Sequence, residues 1–181
     1  KLLPGRYLIW ENKTIKIERY WAPKFCPDNS RSLEDWAEEI HQTLGTIMKE
    51  VKSEDETAES FLSGGVDSSY VLAMSDAQVA NSCGYEDERF DESGLAQETA
   101  TLLGRKLSRC LVTPEEYFAA VPYVMENMEQ PLGDASAIAF AIGCRETAKH
   151  TKLCYSGEGA DEFFGGSGAA YICGILCLYR F

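Results

Sequence analysis

Two glycine-rich stretches hold the residue types and spacings best suited to chemistry. Residues 63–69 read SGGVDSS and combine two glycines, three hydroxyls and one acid, Asp67. Residues 155–166 read YSGEGADEFFGG and carry Glu158 and Asp161. Glycines let the backbone approach a ligand closely, and the free N–H groups at the start of a helix attract phosphate. The lysine-bearing Walker pattern is absent, so any phosphate site here must work differently.

Asp67, the one acid of the first stretch, suggests that a cation binds there together with phosphate. Asp67 would repel a phosphate group directly, whereas Mg²⁺ binds one or two carboxylates together with phosphate oxygens. Asp161 could supply the second carboxylate. An alternative for Asp67 is that it only complements the dipole of the following helix, as any acid there would. Glycines in such turns also have an alternative role, because many serve only the backbone geometry of the turn.

Alternating strands and helices would bring the two stretches together. Sequence patterns predict strands at 60–63, 79–84, 106–112 and 151–156, and helices at 33–51, 68–74, 91–103, 113–128 and 135–149. This alternation indicates an α/β fold: a Rossmann-like parallel sheet with helices on both faces. In such sheets ligands bind beyond the carboxyl ends of the strands, and both glycine-rich stretches fall there.

The remaining segments give further local predictions. Alternating apolar residues around a turn at residues 11–13 predict a β-hairpin, and two prolines within 23–29 indicate a linker. Ser32 is expected to cap the helix that follows, and Thr113 the helix at 113–128. The acidic run 50–59 is expected to be a solvated loop. One face of the helix at 91–103 is expected to carry Leu95, Thr99, Leu102 and Leu103, with Gly104 ending the helix.

Composition limits the class of protein. The chain has 181 residues, 45% of them apolar, which suits a globular domain with a sizeable core. A net charge of -12 argues against nucleic-acid binding, which needs clustered lysine and arginine. No stretch resembles a signal peptide or a membrane span. The seven cysteines include no CxxC pair, and Cys144, His150 and Cys154 fit no zinc signature, so reduced thiols in a cytoplasmic protein are expected.

Four motifs together resemble a known family. Residues 63–69 resemble the pyrophosphate-binding loop of the N-type ATP pyrophosphatases, which have the PP-loop (adenine nucleotide alpha hydrolase) fold. Residues 155–166 resemble the S-G-E-G-(A/S)-D-E-x-x-G-G signature of the glutamine-hydrolysing asparagine synthetases and their β-lactam-synthetase relatives. Residues 90–93, FDES, also agree. Residues 130–138 are similar to E-P-x-x-D-x-S-A-x, with Gln130 in place of the acid. The resemblance covers roughly residues 30–166.

The resemblance implies a reaction and a role for each matching residue. In this family ATP activates aspartate as β-aspartyl-AMP with release of pyrophosphate, and ammonia then gives asparagine. Glu158 would be catalytic, and as a carboxylate beside the amine-accepting centre it is also placed to deprotonate ammonium. Mg²⁺ would bind Asp67 and Asp161. Asp134 would shape the aspartate pocket, although an ordinary helix N-cap is the alternative. ATP would contact Leu62, Ser63, Gly64, Gly65, Asp67, Ser68, Ser69, Cys83, Ser156 and Gly157.

The two ends of the chain depart from the family pattern. We expect residues 1–25 to be a β-hairpin and linker remnant of a missing glutaminase domain, because residues 3–7 through 20–21 resemble the family's exit from that domain. The chain opens on Lys1 rather than on a nucleophilic cysteine, so glutamine hydrolysis is not expected of it. Ammonia would then come from solution or from glutamine through a separate glutaminase domain. Residues 30–166 are expected to form the ATP-pyrophosphatase domain, and 167–181 an atypical apolar tail. A β-lactam-synthetase-like or other adenylating amide synthetase, and a non-catalytic ATP-binding fragment, remain open as alternatives.

Overall fold

The computed structural model describes residues 2–51, 57–128, 133–164 and 166. The chain divides into two compact units, one ending at Gln42 and the other beginning at Thr43. The predicted tail 167–181 and the start of the motif at 130–138 lie outside the described residues. Within the described part, no helix is both long enough and apolar enough to cross a membrane.

The first unit contains the predicted hairpin. Strands β1, Arg6–Glu11, and β2, Thr14–Arg19, pair antiparallel. Asn12 and Lys13 have φ angles of 49° and 61°, which a two-residue turn of type I′ requires at both central positions. This geometry confirms the hairpin prediction.

Helix α1 spans Leu33–Val51 and begins with a reciprocal cap. The Asp35 N–H donates to Ser32 Oγ at 3.1 Å, and the Ser32 N–H donates to the Asp35 carboxylate at 3.0 Å. The predicted Ser32 cap is therefore confirmed. The loop predicted at 50–59 is wrong at its edges, because helix α1 includes Glu50 and Glu59 begins the next strand; residues 52–56 lie outside the described residues.

The second unit is built on a parallel sheet of four strands in the order β5-β4-β3-β6. The strands are β3 (Glu59–Phe61), β4 (Val79–Tyr85), β5 (Lys106–Val112) and β6 (Cys154–Tyr155). The helices are α2 (Val66–Met74), α3 (Ser93–Leu102), α4 (Pro114–Asn127), α5 (Ser136–Thr147) and α6 (Ala160–Phe164). Helix α2 begins two residues earlier than predicted, and β6 is shorter than its predicted strand.

Helices cover both faces of this sheet. Successive strand residues point to opposite faces, and β4 shows the division, because Ala80 belongs to one buried cluster while Tyr85 packs against the other. The first cluster joins α2 and α3 to the sheet through Leu62, Leu72, Ala80, Ala96 and Ala100. The second joins α4 and α5 through Val112, Val124, Ile138, Ala139 and Ile142. The predicted fold class is therefore confirmed.

The buried face of α3 differs from its prediction. Leu95 and Leu102 are 57% and 87% exposed, whereas Ala96 and Ala100 are fully buried. Of the predicted face, Leu103 packs against the first core cluster and Thr99 is half-buried, so the prediction is wrong for Leu95 and Leu102 and missed the buried alanines. Gly104, with a φ of 64°, follows the end of the helix as predicted. Thr113 also caps α4 as predicted, because its Oγ1 accepts from the Glu116 N–H at 3.2 Å.

Helix α5 lies so close to β4 that Gly143 has no space for a side chain. A Cβ there would lie 2.7 Å from Cys83 Sγ. Gly143→Ala is therefore expected to lower the free energy of unfolding by about 1–3 kcal/mol through overpacking. Urea denaturation measures the change, with Gly94→Ala on α3 as control, because no atom lies within 4 Å of its Cβ position. Equal effects of the two substitutions would contradict the close packing of α5.

Candidate active site

The two glycine-rich stretches meet because their strands are neighbours. Strands β3 and β6 pair in parallel, so the segments that follow them leave from the same edge of the sheet. A Cβ on Gly157 would lie 2.8 Å from the Ser68 nitrogen and 2.9 Å from the Asp67 carbonyl carbon. Backbone therefore packs directly on backbone at this point, and any larger residue at position 157 would push the two segments apart.

Serine hydroxyls shape the first loop from within. The Gly65 N–H donates to Ser63 Oγ, and the Ser63 N–H donates to Ser68 Oγ, both at 3.2 Å. The two hydroxyls lie 3.0 Å apart, and Ser68 Oγ also donates to the Gly65 carbonyl. These bonds hold the loop in a curved shape before any ligand arrives.

Helix α2 directs its positive end towards this loop. Gly65 is its N-cap and provides no side-chain hydrogen bond to the first turn. The Ser69 N–H donates to the Gly65 carbonyl at 3.1 Å, which starts the helical pattern. The first N–H groups of a helix have no intrahelical acceptor, so those of Val66 and Asp67 are suited to an anionic ligand.

Gly64 takes a conformation that only glycine adopts readily. Its φ is 90°, and a Cβ there would lie 2.6 Å from Leu95 Cβ and 2.8 Å from the Ala96 nitrogen. The first turn of α3 therefore supports the loop from behind. The small buried side chain of Ala96 is part of what permits this approach.

A cleft of about 660 Å³ opens beside the two loops. Most of the predicted site residues line it, namely Leu62, Ser63, Asp67, Ser68, Cys83, Asp134, Ser156, Gly157, Glu158 and Asp161. Gly64, Gly65 and Ser69 are outside its lining and belong to the loop and helix start that bound it. Leu62 is only 1% exposed and lies in the first core cluster, so it offers little surface to a ligand.

Two carboxylates in the cleft suit a hard divalent cation. Asp67 is in the first turn of α2 and Asp161 in the first turn of α6, and both line the same cleft. The Asp161 carboxylate lies against the Cα of Gly166, where a Cβ would collide with its Oδ1. The described residues contain no cluster of three or more metal-binding side chains. Two carboxylates still fit Mg²⁺, which takes its other ligands from phosphate and water.

Hydrogen bonds hold the backbone of Glu158 but the carboxylate of Asp134. The Glu158 N–H donates to Ser156 Oγ at 3.1 Å, which fixes its backbone and leaves its carboxylate in the cleft lining. The Asp134 carboxylate accepts from the Ser136 N–H at 2.9 Å and from its hydroxyl at 2.8 Å. These bonds hold the pKa of Asp134 below its usual value. Asp134 therefore bonds to the first residue of α5 from the position before its N-cap, Ala135, and its role in substrate binding stays a prediction.

Cys83 is a protonated, half-buried thiol on the wall of the cleft. Its Sγ donates to the Ala139 carbonyl at 3.4 Å. Burial, together with the nearby thiols of Cys110 and Cys144, raises the pKa of Cys83 to about 11. The residue therefore offers a neutral surface at physiological pH and lacks the properties of a nucleophile.

The motifs did not reveal all of the cleft. Phe61 and Phe140, whose ring centroids lie 4.9 Å apart, form part of the lining together with Tyr85, and Phe90 of the FDES motif lies beside them in the lining. Phe61 is the last residue of β3, two residues before the first loop, so its position at a strand end was a usable signal. Phe140 lies on α5, and only the packing of that helix brings it to the cleft.

In open α/β proteins, ligands bind in a crevice beyond the carboxyl ends of the strands. The cleft in this chain lies at that edge, and acidic residues form part of its lining. The family model for asparagine synthase matches residues 39–173, and the chain belongs to this family. It is 31% identical over 174 residues to asparagine synthetase [glutamine-hydrolyzing] 1 of Bacillus subtilis (strain 168), covering 92% of this chain and 27% of that protein. It is also 32% identical over 156 residues to a putative asparagine synthetase [glutamine-hydrolyzing] of Mycobacterium bovis, and that match covers 83% of this chain and 24% of the relative.

The chain therefore spans about a quarter of the length of these curated relatives. Among solved structures, the NH3-dependent NAD synthetase of Campylobacter jejuni is similar with a TM-score of 0.47 and 14% identity, over 72% of this chain and 60% of that one.

The thiol chemistry of the cleft gives a testable pH dependence. At pH 8 iodoacetamide is expected to modify the exposed Cys26 quickly and Cys83 very slowly, because the thiolate is the reacting form. The rate at Cys83 should rise with pH, reach about half of its maximum near pH 11, where half of this thiol is ionised, and level off only above that pH. Peptide mass spectrometry measures both rates, and denatured chain serves as the control. Equally fast modification of Cys26 and Cys83 in the folded chain at pH 8 would contradict the assignment.

Proposed function

We propose that this chain carries the ATP-dependent, amide-forming site of an asparagine synthetase-type ligase. The observation that supports this most strongly is the contact between Gly157 and Ser68, which joins the two family motifs into one cleft. Membership of the asparagine synthase family supports the same reaction class. The substrates would be ATP, aspartate and ammonia, and a cytoplasmic location suits all three.

In this proposal the first loop binds the pyrophosphate portion of ATP. Backbone N–H groups at the start of α2 would donate to phosphate oxygens, and the hydroxyls of Ser63, Ser68 and Ser69 would add contacts. Gly64 and Gly65 allow the phosphates to approach the backbone. Cys83 would provide a neutral wall for the adenosine beside Leu62, and Ser156 with Gly157 would close the other side.

The two carboxylates would hold the cation. Asp67 and Asp161 would bind Mg²⁺, which offsets phosphate charge and lets an anionic substrate approach. A carboxylate oxygen of aspartate would attack the α-phosphorus of ATP, forming β-aspartyl-AMP and releasing pyrophosphate. Donors at the start of α2 stabilise the charge that develops on the departing pyrophosphate, and they are already oriented before the reaction.

Glu158 would act in adenylate formation, as the matching glutamate of the family does, and again in the second half of the reaction. Its carboxylate lines the cleft beside the proposed nucleotide site and could accept a proton from the incoming amine. Ammonia would attack the activated carbonyl, AMP would leave, and asparagine would form. The ammonia would come from solution or from glutamine through a separate glutaminase domain. Asp134 would help to shape the aspartate pocket while accepting hydrogen bonds from Ser136 at the start of α5.

The proposal predicts that two carboxylates are essential. In the presence of ATP, Mg²⁺, aspartate and ammonium, aspartate-dependent pyrophosphate release by Asp67→Asn or Glu158→Gln should fall by about 100-fold or more, because each removes a charge that acts in the transition state. Coupled detection of pyrophosphate and chromatographic detection of asparagine measure the two halves separately.

The matched control is Glu98→Gln, which removes an exposed carboxylate on α3 outside the cleft. Its rate should equal that of the unmodified chain. Unchanged turnover in either cleft variant would refute that residue's role. Aspartate-dependent pyrophosphate release without asparagine would indicate that the chain carries only the adenylating half-reaction.

A further inference from the structure

The FDES segment, residues 90–93, contains one carboxylate that joins three parts of the second unit. Asp91 Oδ1 accepts from the Ser93 N–H at 3.2 Å and from the Tyr85 N–H at 3.4 Å. Its Oδ2 accepts from the Ser93 hydroxyl at 2.9 Å and from Arg109 Nη2 at 2.6 Å. The carboxylate therefore connects the end of β4, the start of α3 and the middle of β5.

Asp91 is well sheltered for a charged residue. Its side chain is 17% exposed, and the Ser93 beside it is buried. Burial alone would raise the pKa of Asp91, but hydrogen bonds from Ser93 and Tyr85, together with the charge of Arg109, hold the pKa below its usual value. The charged form is thus the one that these contacts stabilise.

The partner of Asp91 is itself held in a defined position. The Arg109 guanidinium lies across the Cα of Gly84, where a Cβ would collide with Arg109 Nε. A side chain at position 84 would displace the guanidinium from its ion pair with Asp91. Gly84 is therefore part of the same arrangement.

The first turn of α3 touches the first loop. Asp91 fixes the first residue of the helix, Ser93, and the same turn brings Leu95 and Ala96 against Gly64. Gly64 rests directly on this turn, because a Cβ there would lie 2.6 Å from Leu95 Cβ. A shift of the helix start would move the surface on which the loop rests.

We propose that Asp91 is a positioning residue for pyrophosphate binding, acting through α3 on Gly64. The inference rests on the proposed function, since it concerns the same ATP site. Asp91 is absent from the cleft lining and would touch no substrate. A role exerted through α3 predicts that the effect is largest for ligands that use the first loop.

The test compares ligands with and without the pyrophosphate group. By isothermal titration calorimetry with Mg²⁺, Asp91→Asn should weaken binding of ATP and of inorganic pyrophosphate by about tenfold, the size seen when a supporting hydrogen bond is lost. Binding of AMP, which lacks that group, should stay within about twofold. This contrast separates a positioning role from a general loss of structure, because a general loss of structure would weaken the binding of all three ligands.

Two further variants complete the design. Asp87→Asn is the matched control, because the exposed Asp87 carboxylate bonds only to the neighbouring Arg89 among the contacts that the structure describes. Its affinities should equal those of the unmodified chain. Ser93→Ala removes one bond to Asp91 and keeps the backbone bond, so it should give a smaller loss with the same selectivity. It provides the test if Asp91→Asn does not fold.

The outcomes are distinct. If the unmodified chain binds neither ATP nor AMP, the proposed function fails, and this inference fails with it. If the unmodified chain binds ATP but Asp91→Asn binds pyrophosphate equally well, only the positioning role is overturned. If Asp91→Asn weakens ATP binding and AMP binding equally, the positioning role is also overturned, because Asp91 would then be merely structural.

Discussion

The parallel pairing of β6 with β3 is the contact on which the candidate site depends. Strand β6 has only two residues, Cys154 and Tyr155, yet it places the second glycine-rich segment beside the first. Gly157 then packs on the backbone of Ser68 without room for a side chain. Without this pairing the carboxylates of Asp67 and Asp161 would not share a cleft.

The packing on both sides of the sheet supports that contact. Alanines on α3 let the helix lie close behind the phosphate loop, and Gly143 lets α5 lie close to β4. The cleft also has an unusual charge pattern. Acidic side chains line it, although its proposed ligand, ATP, is itself an anion that they would repel. A cation between them and a helix N-terminus behind them would make that combination favourable.

Much of this arrangement follows from short-range signals in the sequence. The caps at Ser32 and Thr113, the hairpin turn and the strand β5 depend on neighbouring residues, and each was predicted correctly. The buried face of α3 depends on how closely the helix meets Gly64, which no local pattern reports. The contacts of Asp91 and the contribution of Phe140 to the cleft also arise from tertiary packing, so the motifs alone did not reveal them.

Hydrogen exchange of the chain with and without ATP and Mg²⁺ tests the central claim most directly. If the two segments form one nucleotide site, peptides covering residues 63–69 and 156–161 should both exchange more slowly when ATP is bound, and over the same range of ATP concentration. Peptides from the β1–β2 hairpin should show no change. Protection of only one segment, or of the two at different ATP concentrations, would contradict a single shared site.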